Sequence, residues 1–445
     1  MSIAVFLKEN LKNIPAWLGQ TINHIPYNIR PGIGKVYKQR QALLRESENW
    51  DSNMSKDFVF SKVKDLVFFS YNNIKFYKEY YESKGFHPTE LRCFADIEKI
   101  PIVTKSILKT YSLEDRSFKK KGSYIVNTGG SSGEPFSFFI EPSSMGHEWA
   151  HMHKVWNKFG YHYSSLKLAF SGRSDVSDLV DYDVVRNHFA IDMYSDYVKV
   201  AAKLRAIVTK YKICYLHGYP SLIYDFALYC EENDKDLMVM LRRNLKGVFL
   251  GSEYPQKLYR DTIKRIFGIE SVSWYGHTER AVLAYEKHEE FEYYPFITYG
   301  FAEAITNLDG EYNLVGTSYY NYSSPLIRYN TEDIIDDVNL DQGILKSFRL
   351  LKGREGEFVV DKKKKRINLT GLIFGRHHKL FNYCSFIQVK QIEDGKILIY
   401  YVSKDLDVSK AQSFFDSDNL DLDLVFERID SPIRTLAGKI NLLIK

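Results

Sequence analysis

The sequence predicts an α/β chain in two parts, a large multi-layered N-terminal domain over residues 1–352 and a small α+β C-terminal domain over 353–445. Three observations predict it. From Ser123 onward, strand-like runs (YIV, FSFFI, LKLAF, KICYLHG, GVFLG, VSWYG) alternate with helical ones (AAKLRAIVTK, SLIYDFALYCEEN), the texture of a sheet with its connections on the faces. After Ile305 the pattern turns to hairpins, with Asp-Gly turns in ITNLDGEYNLVGTSYY and QIEDGKILIYYV. From Gly353 and Arg354 the rest reads strand, basic turn, strand, loop, helix, strands, the helical SKAQSFFDS and a final strand.

Earlier elements follow from local signals. Residues 56–85 mix apolar and charged positions at helical spacing and predict one or two helices. Pro101 opens PIVTKSILKTY, a short strand followed by a helical segment. The basic run Lys362 to Arg366, KKKKR, lies between GEFVV and INL and predicts a solvated turn, with an acidic lipid or a phosphorylated partner as the alternative.

Composition narrows the function. Aromatic content of 15% argues against disorder, and the +5 net charge over 445 residues does not predict nucleic-acid binding. The four cysteines are far apart and match neither a paired metal spacing nor a disulfide framework. The N-terminal MSIAVFLKENLKN is too soon interrupted for a secretory signal, and no apolar stretch reaches the roughly 18 residues of a spanning helix. The expectation is a soluble, cytoplasmic protein without an integral membrane segment.

The stretch TGGSSGEP sits between two strand-like runs. Gly129, Gly130 and Gly133 permit positive φ and close backbone approach, so that successive N–H groups can point at one anion. Thr128, Ser131 and Ser132 add hydroxyl donors, and Pro135 restricts the exit. By itself the stretch reads equally as a Gly-Ser turn. It matches neither the Walker nor the dinucleotide spacing.

Further segments in order make the pattern specific. GSEYP at 251–255, YGHTE at 275–279, PLIRYNTED at 325–333, GRE at 353–355 and RTLAGK at 434–439 follow the loop. Together with IKFYKEYYESKG, LRCFADIEKIPIVTKSIL and FIQVKQ, they resemble the adenylate-forming superfamily, and within it the phenylacetate-CoA ligase-like and capsular polysaccharide biosynthesis CapK-like proteins. The resemblance runs from about residue 60 to the end.

The resemblance implies ATP-dependent conversion of a carboxylic acid to an acyl-adenylate with release of pyrophosphate. It implies that Thr128, Ser131, Ser132 and the loop glycines hold the β- and γ-phosphates, Thr278 meets the α-phosphate, and Glu279 holds Mg²⁺. Gly251, Ser252 and Glu253 would belong to the adenine pocket. Tyr275 would stack on adenine, and Gly276 would leave room for the acyl group. Asp333 would accept from both ribose hydroxyls, since a carboxylate offers two acceptor oxygens to a vicinal diol. Arg328 would support the loop or the phosphates, or else serve as a structural partner of Asp333 or Glu332. Arg354 would contact ribose or terminate the adenylation arrangement. Lys439 would be delivered by closure of a mobile C-terminal domain and neutralise the carboxylate and α-phosphate as they meet.

The chain departs from the family pattern in places. Glu332 stands where the family usually has Gly, Glu355 where it has Asp, and His277 where it often has Leu or Ser. His277 reads equally as a substrate contact or a packed side chain. His147, His151 and His153 could pair on a metal, but read better as partly exposed residues of a helix. His377 and His378 are ambiguous in the same way.

The resemblance leaves the acceptor open between CoA and an amine or sugar, and it implies a homodimer and a setting in surface polysaccharide biosynthesis. Residues 138–173 and those after Tyr219 are expected to line the acid pocket, with Trp149, Trp156 and Tyr219 suited to a flat or apolar acid or to a sugar ring. The alternative to an enzyme is a catalytically impaired protein that binds nucleotide, or a structural protein that binds glycan.

Overall fold

A computed structural model describes residues 14–129, 135–171, 176, 178–308, 310–350, 358–369, 371–376, 378–433 and 441–444. Its centre is an eight-stranded sheet. The strands are β3 (Leu166–Phe170), β4 (Val180–Asp183), β5 (His188–Ile191), β6 (Ile213–Gly218), β7 (Gly247–Leu250), β8 (Ser271–Gly276), β9 (Leu283–Tyr285) and β10 (Tyr294–Pro295), in the order β10-β9-β8-β7-β6-β3-β5-β4. From β8 to β5 the neighbours are parallel; β4, β9 and β10 are antiparallel additions at the edges.

Parallel neighbours require crossovers. Helix Tyr197–Lys210 leads from β5 to β6, Pro220–Asn233 and Lys235–Arg242 lead to β7, and Lys257–Phe267 leads to β8. Their ends are set locally. Asp196 and Asp234 cap by accepting from Val198 N and Leu237 N, Pro220 opens its helix, and Gly268 closes the last at φ 71°. Strands β3, β5 and β7 are buried along their whole length because both faces are covered. The apolar cluster from Leu166 to Phe267 is the result.

Hairpin β1 (Tyr124–Gly129) and β2 (Pro135–Ile140) pairs antiparallel out to Gly129 opposite Pro135. It packs with helices Ser52–Asn73 and Lys75–Ser83, which realise the helical pattern of 56–85. A second sheet, β11 (Gly300–Thr306), β12 (Tyr312–Ser318), β13 (Tyr329–Asp341) and β14 (Ile344–Leu350), is an antiparallel meander.

The C-terminal part has its own apolar cluster, from Val359 to Leu442, joined by Tyr194. Strands β15 (Phe358–Val360) and β16 (Arg366–Asn368) form a hairpin, and β17 (Phe386–Glu393), β18 (Lys396–Val402), β19 (Asp423–Ile429) and β20 (Leu443–Ile444) form a sheet ordered β19-β18-β17-β20. The expected boundary at Gly353 lies outside the described residues.

The basic run is the turn of the β15–β16 hairpin. Lys362 and Lys363 pair with Asp423 and Asp421, Lys365 donates to the Ser195 carbonyl, and Arg366 stands 3.6 Å from Asp225. Those partners are protein groups, so the run is a structural turn.

The histidines of helix Ser144–Trp156 require a correction. His147, His151 and His153 are buried, not partly exposed. His151 bonds the His147 carbonyl at 2.8 Å and Thr298 Oγ1 at 2.9 Å, and His153 Nδ1 meets the Tyr37 hydroxyl at 2.9 Å. Burial lowers the pKa of all three, so they are neutral core residues. No cluster of three or more metal-ligating side chains occurs among the described residues. His378 is likewise buried, bonded to the Leu372 carbonyl at 2.8 Å, and His377 lies outside the described residues.

Candidate active site

The β1–β2 hairpin presents Thr128 and Gly129 at its end; Gly130, Ser131, Ser132 and Gly133 lie outside the described residues. Thr128 Oγ1 is buried and has no hydrogen-bond partner among the described residues. The hairpin is tied to the chain just before Pro325. Asn321 Nδ2 donates to the Phe139 carbonyl at 2.8 Å, and Phe139 N donates to Ser324 Oγ at 2.9 Å. Strand β2 is thereby anchored beside the PLIRYNTED segment.

That segment meets YGHTE through Tyr275 and Asp333. Tyr275 closes on Asp333, its hydroxyl donating to Oδ2 at 2.6 Å. The Tyr275 ring is buried, edge-on to Phe348 at 5.7 Å. Gly276, the last residue of β8, is exposed, and a Cβ there would lie 3.1 Å from Leu283 Cδ1. Thr278 is exposed in the turn that follows.

His277 is a linker within this turn. Val282 N donates to its Nε2 at 3.2 Å, so Nδ1 carries the proton and faces Glu279 Oε2 at 3.2 Å. The imidazole lies parallel to the Tyr329 ring, 6.4 Å between centroids. Burial pushes the Glu279 carboxyl up, but the hydrogen bond from His277, a backbone hydrogen bond and the Lys105 charge outweigh it and hold the carboxyl down at about 2. Glu279 is therefore a nearly buried carboxylate that stays ionised, with a side chain 12% exposed. That suits an oxygen ligand for a hard cation.

Lys105 was not singled out by the sequence. It is buried at the start of helix Lys105–Lys109. Val103 N donates to the Arg328 carbonyl at 3.0 Å, and Asn330 N donates to the Val103 carbonyl at 2.9 Å, so Val103 makes an isolated parallel bridge to Tyr329 at the start of β13. A lysine after a short strand carries no signal of this placement.

Arg328 is a brace. Its Nε and Nη2 clamp Glu303 at 3.1 and 2.9 Å, and Nη1 donates to the carbonyls of Glu98 at 2.7 Å and Ile100 at 2.8 Å. The structural partner expected among Asp333 and Glu332 is instead Glu303, and a guanidinium so engaged is turned away from a ligand. Glu253 is similarly engaged. It accepts from Ser221 Oγ at 2.7 Å and from the Asn368 amide of β16. Burial raises its carboxyl against those bonds. It links the large domain to β16 across the chain. Gly251 is required beside it, since a Cβ would lie 2.3 Å from Trp274 Cζ2, and Ser252 holds φ 69°. Arg354 and Lys439 lie outside the described residues.

No family model matches the chain. Protein CapK of Staphylococcus aureus is 24% identical over 312 residues, covering 67% of this chain and 68% of that protein. Two structures of 2-hydroxyisobutyryl-CoA ligase share the fold at 15% identity. The postadenylation state with R3-HIB-AMP has a TM-score of 0.53, covering 87% of this chain and 89% of the ligase. The thioesterification state with 2-HIB-AMP and CoA has a TM-score of 0.54, covering 88% and 90%. The chain shares the fold of 2-hydroxyisobutyryl-CoA ligase and is similar over about two thirds of its length to Protein CapK.

Proposed function

We propose that the protein uses ATP to activate a carboxylic acid and then transfers the acyl group to CoA or to an amine or hydroxyl acceptor in surface polysaccharide biosynthesis. A carboxylate oxygen attacks the α-phosphorus, the bond to the bridging oxygen breaks, and pyrophosphate leaves. The acceptor then attacks the acyl carbon and AMP leaves. The carrying observation is the Tyr275–Asp333 bond, which joins the aromatic-Gly motif to the ribose-binding motif.

In this reading Asp333 binds the ribose while Tyr275 fixes its carboxylate, and Thr278 meets the α-phosphate. Thr128 and residues 129–133 cradle the outer phosphates through backbone N–H and hydroxyl donors. A magnesium ion on Glu279 would supply charge compensation for the phosphates. Arg354 contacts ribose, and Lys439 neutralises the meeting anions after closure of the C-terminal domain. The CapK likeness supports the polysaccharide setting. A cytoplasmic homodimer is part of the same proposal.

ATP–pyrophosphate exchange over a panel of carboxylic acids tests it. Acid-dependent exchange is expected. ATP binding without exchange for any acid would point instead to a nucleotide-binding protein without this chemistry.

A further inference from the structure

The turn that carries Glu279 is held from outside by helix Ser144–Trp156. Arg280 N donates to the His277 carbonyl at 3.0 Å and closes the turn. Arg280 itself has φ 58°, a left-handed conformation that a long side chain adopts only where its surroundings impose it.

Two contacts impose it here. Downstream, the backbone is pinned at Ala281. A Cβ on Gly300 would lie 2.1 Å from the Ala281 carbonyl oxygen, so the start of β11 runs directly against the chain leaving the turn. On the side chain, Arg280 Nε stands 3.7 Å from Glu148 Oε2. Burial works against the guanidinium charge, but the Glu148 carboxylate, with Tyr299 and Tyr124, outweighs it and holds the Arg280 pKa above its ordinary value. The two side chains are 21% and 26% exposed, so solvent screens them less than a surface pair.

Glu148 is fixed in its turn. The same Oε2 accepts from the Tyr299 hydroxyl at 2.6 Å. The Tyr299 ring is buried, stacked on His147 at 4.7 Å between centroids and edge-on to His151 at 5.2 Å. His147 and His151 stand about one turn apart on the helix that carries Glu148, so the carboxylate reaches Arg280 on a packed support.

Glu279 and Arg280 are adjacent in the chain and turn to different partners. Glu279 faces His277 Nδ1 at 3.2 Å, and Arg280 faces Glu148. Rotation of Arg280 out of the left-handed region would swing the preceding peptide and carry the Glu279 carboxylate away from His277.

We propose that Glu148 is a positioning residue for adenylation: through Arg280 it holds the Glu279 carboxylate in the orientation that receives the metal. This rests on the adenylation reading and adds a residue to it. Groups that orient a metal-binding side chain are typically worth about 10–100-fold in metal affinity or activity.

The test uses Glu148→Gln, which keeps an acceptor for Tyr299 and removes the charge opposite Arg280. Its denaturation midpoint should match wild type. Its affinity for Mn²⁺ in the presence of ATP, titrated by electron paramagnetic resonance, should fall about tenfold, and kcat for ATP–pyrophosphate exchange should fall by a similar factor with the KM for the acid unchanged. Arg280→Gln should lose as much, and the double variant no more than either single one, because both act through one contact. Should Glu148→Gln not fold, Tyr299→Phe, which leaves both charges but releases Glu148, should act in the same direction more weakly. Wild-type Mn²⁺ affinity in the folded variants, or additive losses in the double variant, would overturn the inference. So would a loss confined to the KM for the acid, which would make Glu148 a substrate contact. If wild type exchanges with no acid, adenylation falls, while the loss of Mn²⁺ affinity in Glu148→Gln would still uphold the positioning.

Discussion

His277 Nδ1 lies 3.2 Å from Glu279 Oε2, while the Val282 N–H occupies the other ring nitrogen. The histidine is thus locked as a donor to the carboxylate proposed to carry the metal. His277→Phe removes the bond and should move the acid limb of the pH–rate profile for exchange to higher pH. The stability effect has a definite sign. Glu279 has a folded value of about 2 against 4.5 for an unperturbed carboxyl, so its contribution is present above 4.5 and is lost as pH falls through about 2. It is on the order of 3 kcal/mol. Denaturant unfolding of Glu279→Gln across that window should show the pH dependence reduced.

Asp333→Ala should raise the ATP requirement sharply with little change in the requirement for acid. Tyr275→Phe should act in the same direction but more weakly, since one hydrogen bond to a carboxylate is worth about 1.5–3 kcal/mol. Nucleotide titration measures both. A nucleotide-bound structure with the ribose out of hydrogen-bond reach of Asp333 would sink the assignment.

Arg328→Met should destabilise the fold by about 3–5 kcal/mol, because Glu303 is left buried without its partner. ATP affinity of the folded fraction should be unchanged. A selective loss of ATP affinity at full stability would return Arg328 to the phosphates.

Glu332 holds φ 64°, a left-handed conformation that costs a residue with a Cβ about 1–2 kcal/mol. Glu332→Gly should therefore stay within about 1 kcal/mol of the parent, strain relief offsetting the entropy of glycine. Glu332→Val should lose about 2 kcal/mol, since a branched Cβ fits this region worst. Chemical denaturation separates the two.

Lys439→Ala should greatly depress single-turnover adenylate formation while sparing ATP binding, which the proposal assigns chiefly to residues before 354. Wild-type rates in this variant would remove the lysine from the first half-reaction.

The sequence by itself determined the local elements and the order of the motifs. Alternating apolar runs, the Asp-Gly turns and the capping residues Asp196 and Asp234 act on neighbours in the chain, so β11–β12, β17–β18 and the crossover helices form where the pattern places them. The resemblance implies a Gly at position 332, and the left-handed φ of Glu332 supplies a reason for it. Only the tertiary structure decided which atoms meet. Tyr275 reaches Asp333 because β8 and β13 belong to sheets whose packing no local period encodes. Arg328 finds Glu303 rather than Glu332 because the left-handed turn at Arg328 and the pairing of β11, β12 and β13 carry its side chain into the core. The histidines of helix Ser144–Trp156 are buried, against expectation, because N-terminal helix Gly34–Ser47 and the Thr298 loop cover both sides of it. Lys167 reads in sequence as one more charge within LKLAF; its burial exists only once β5 and β6 have flanked it.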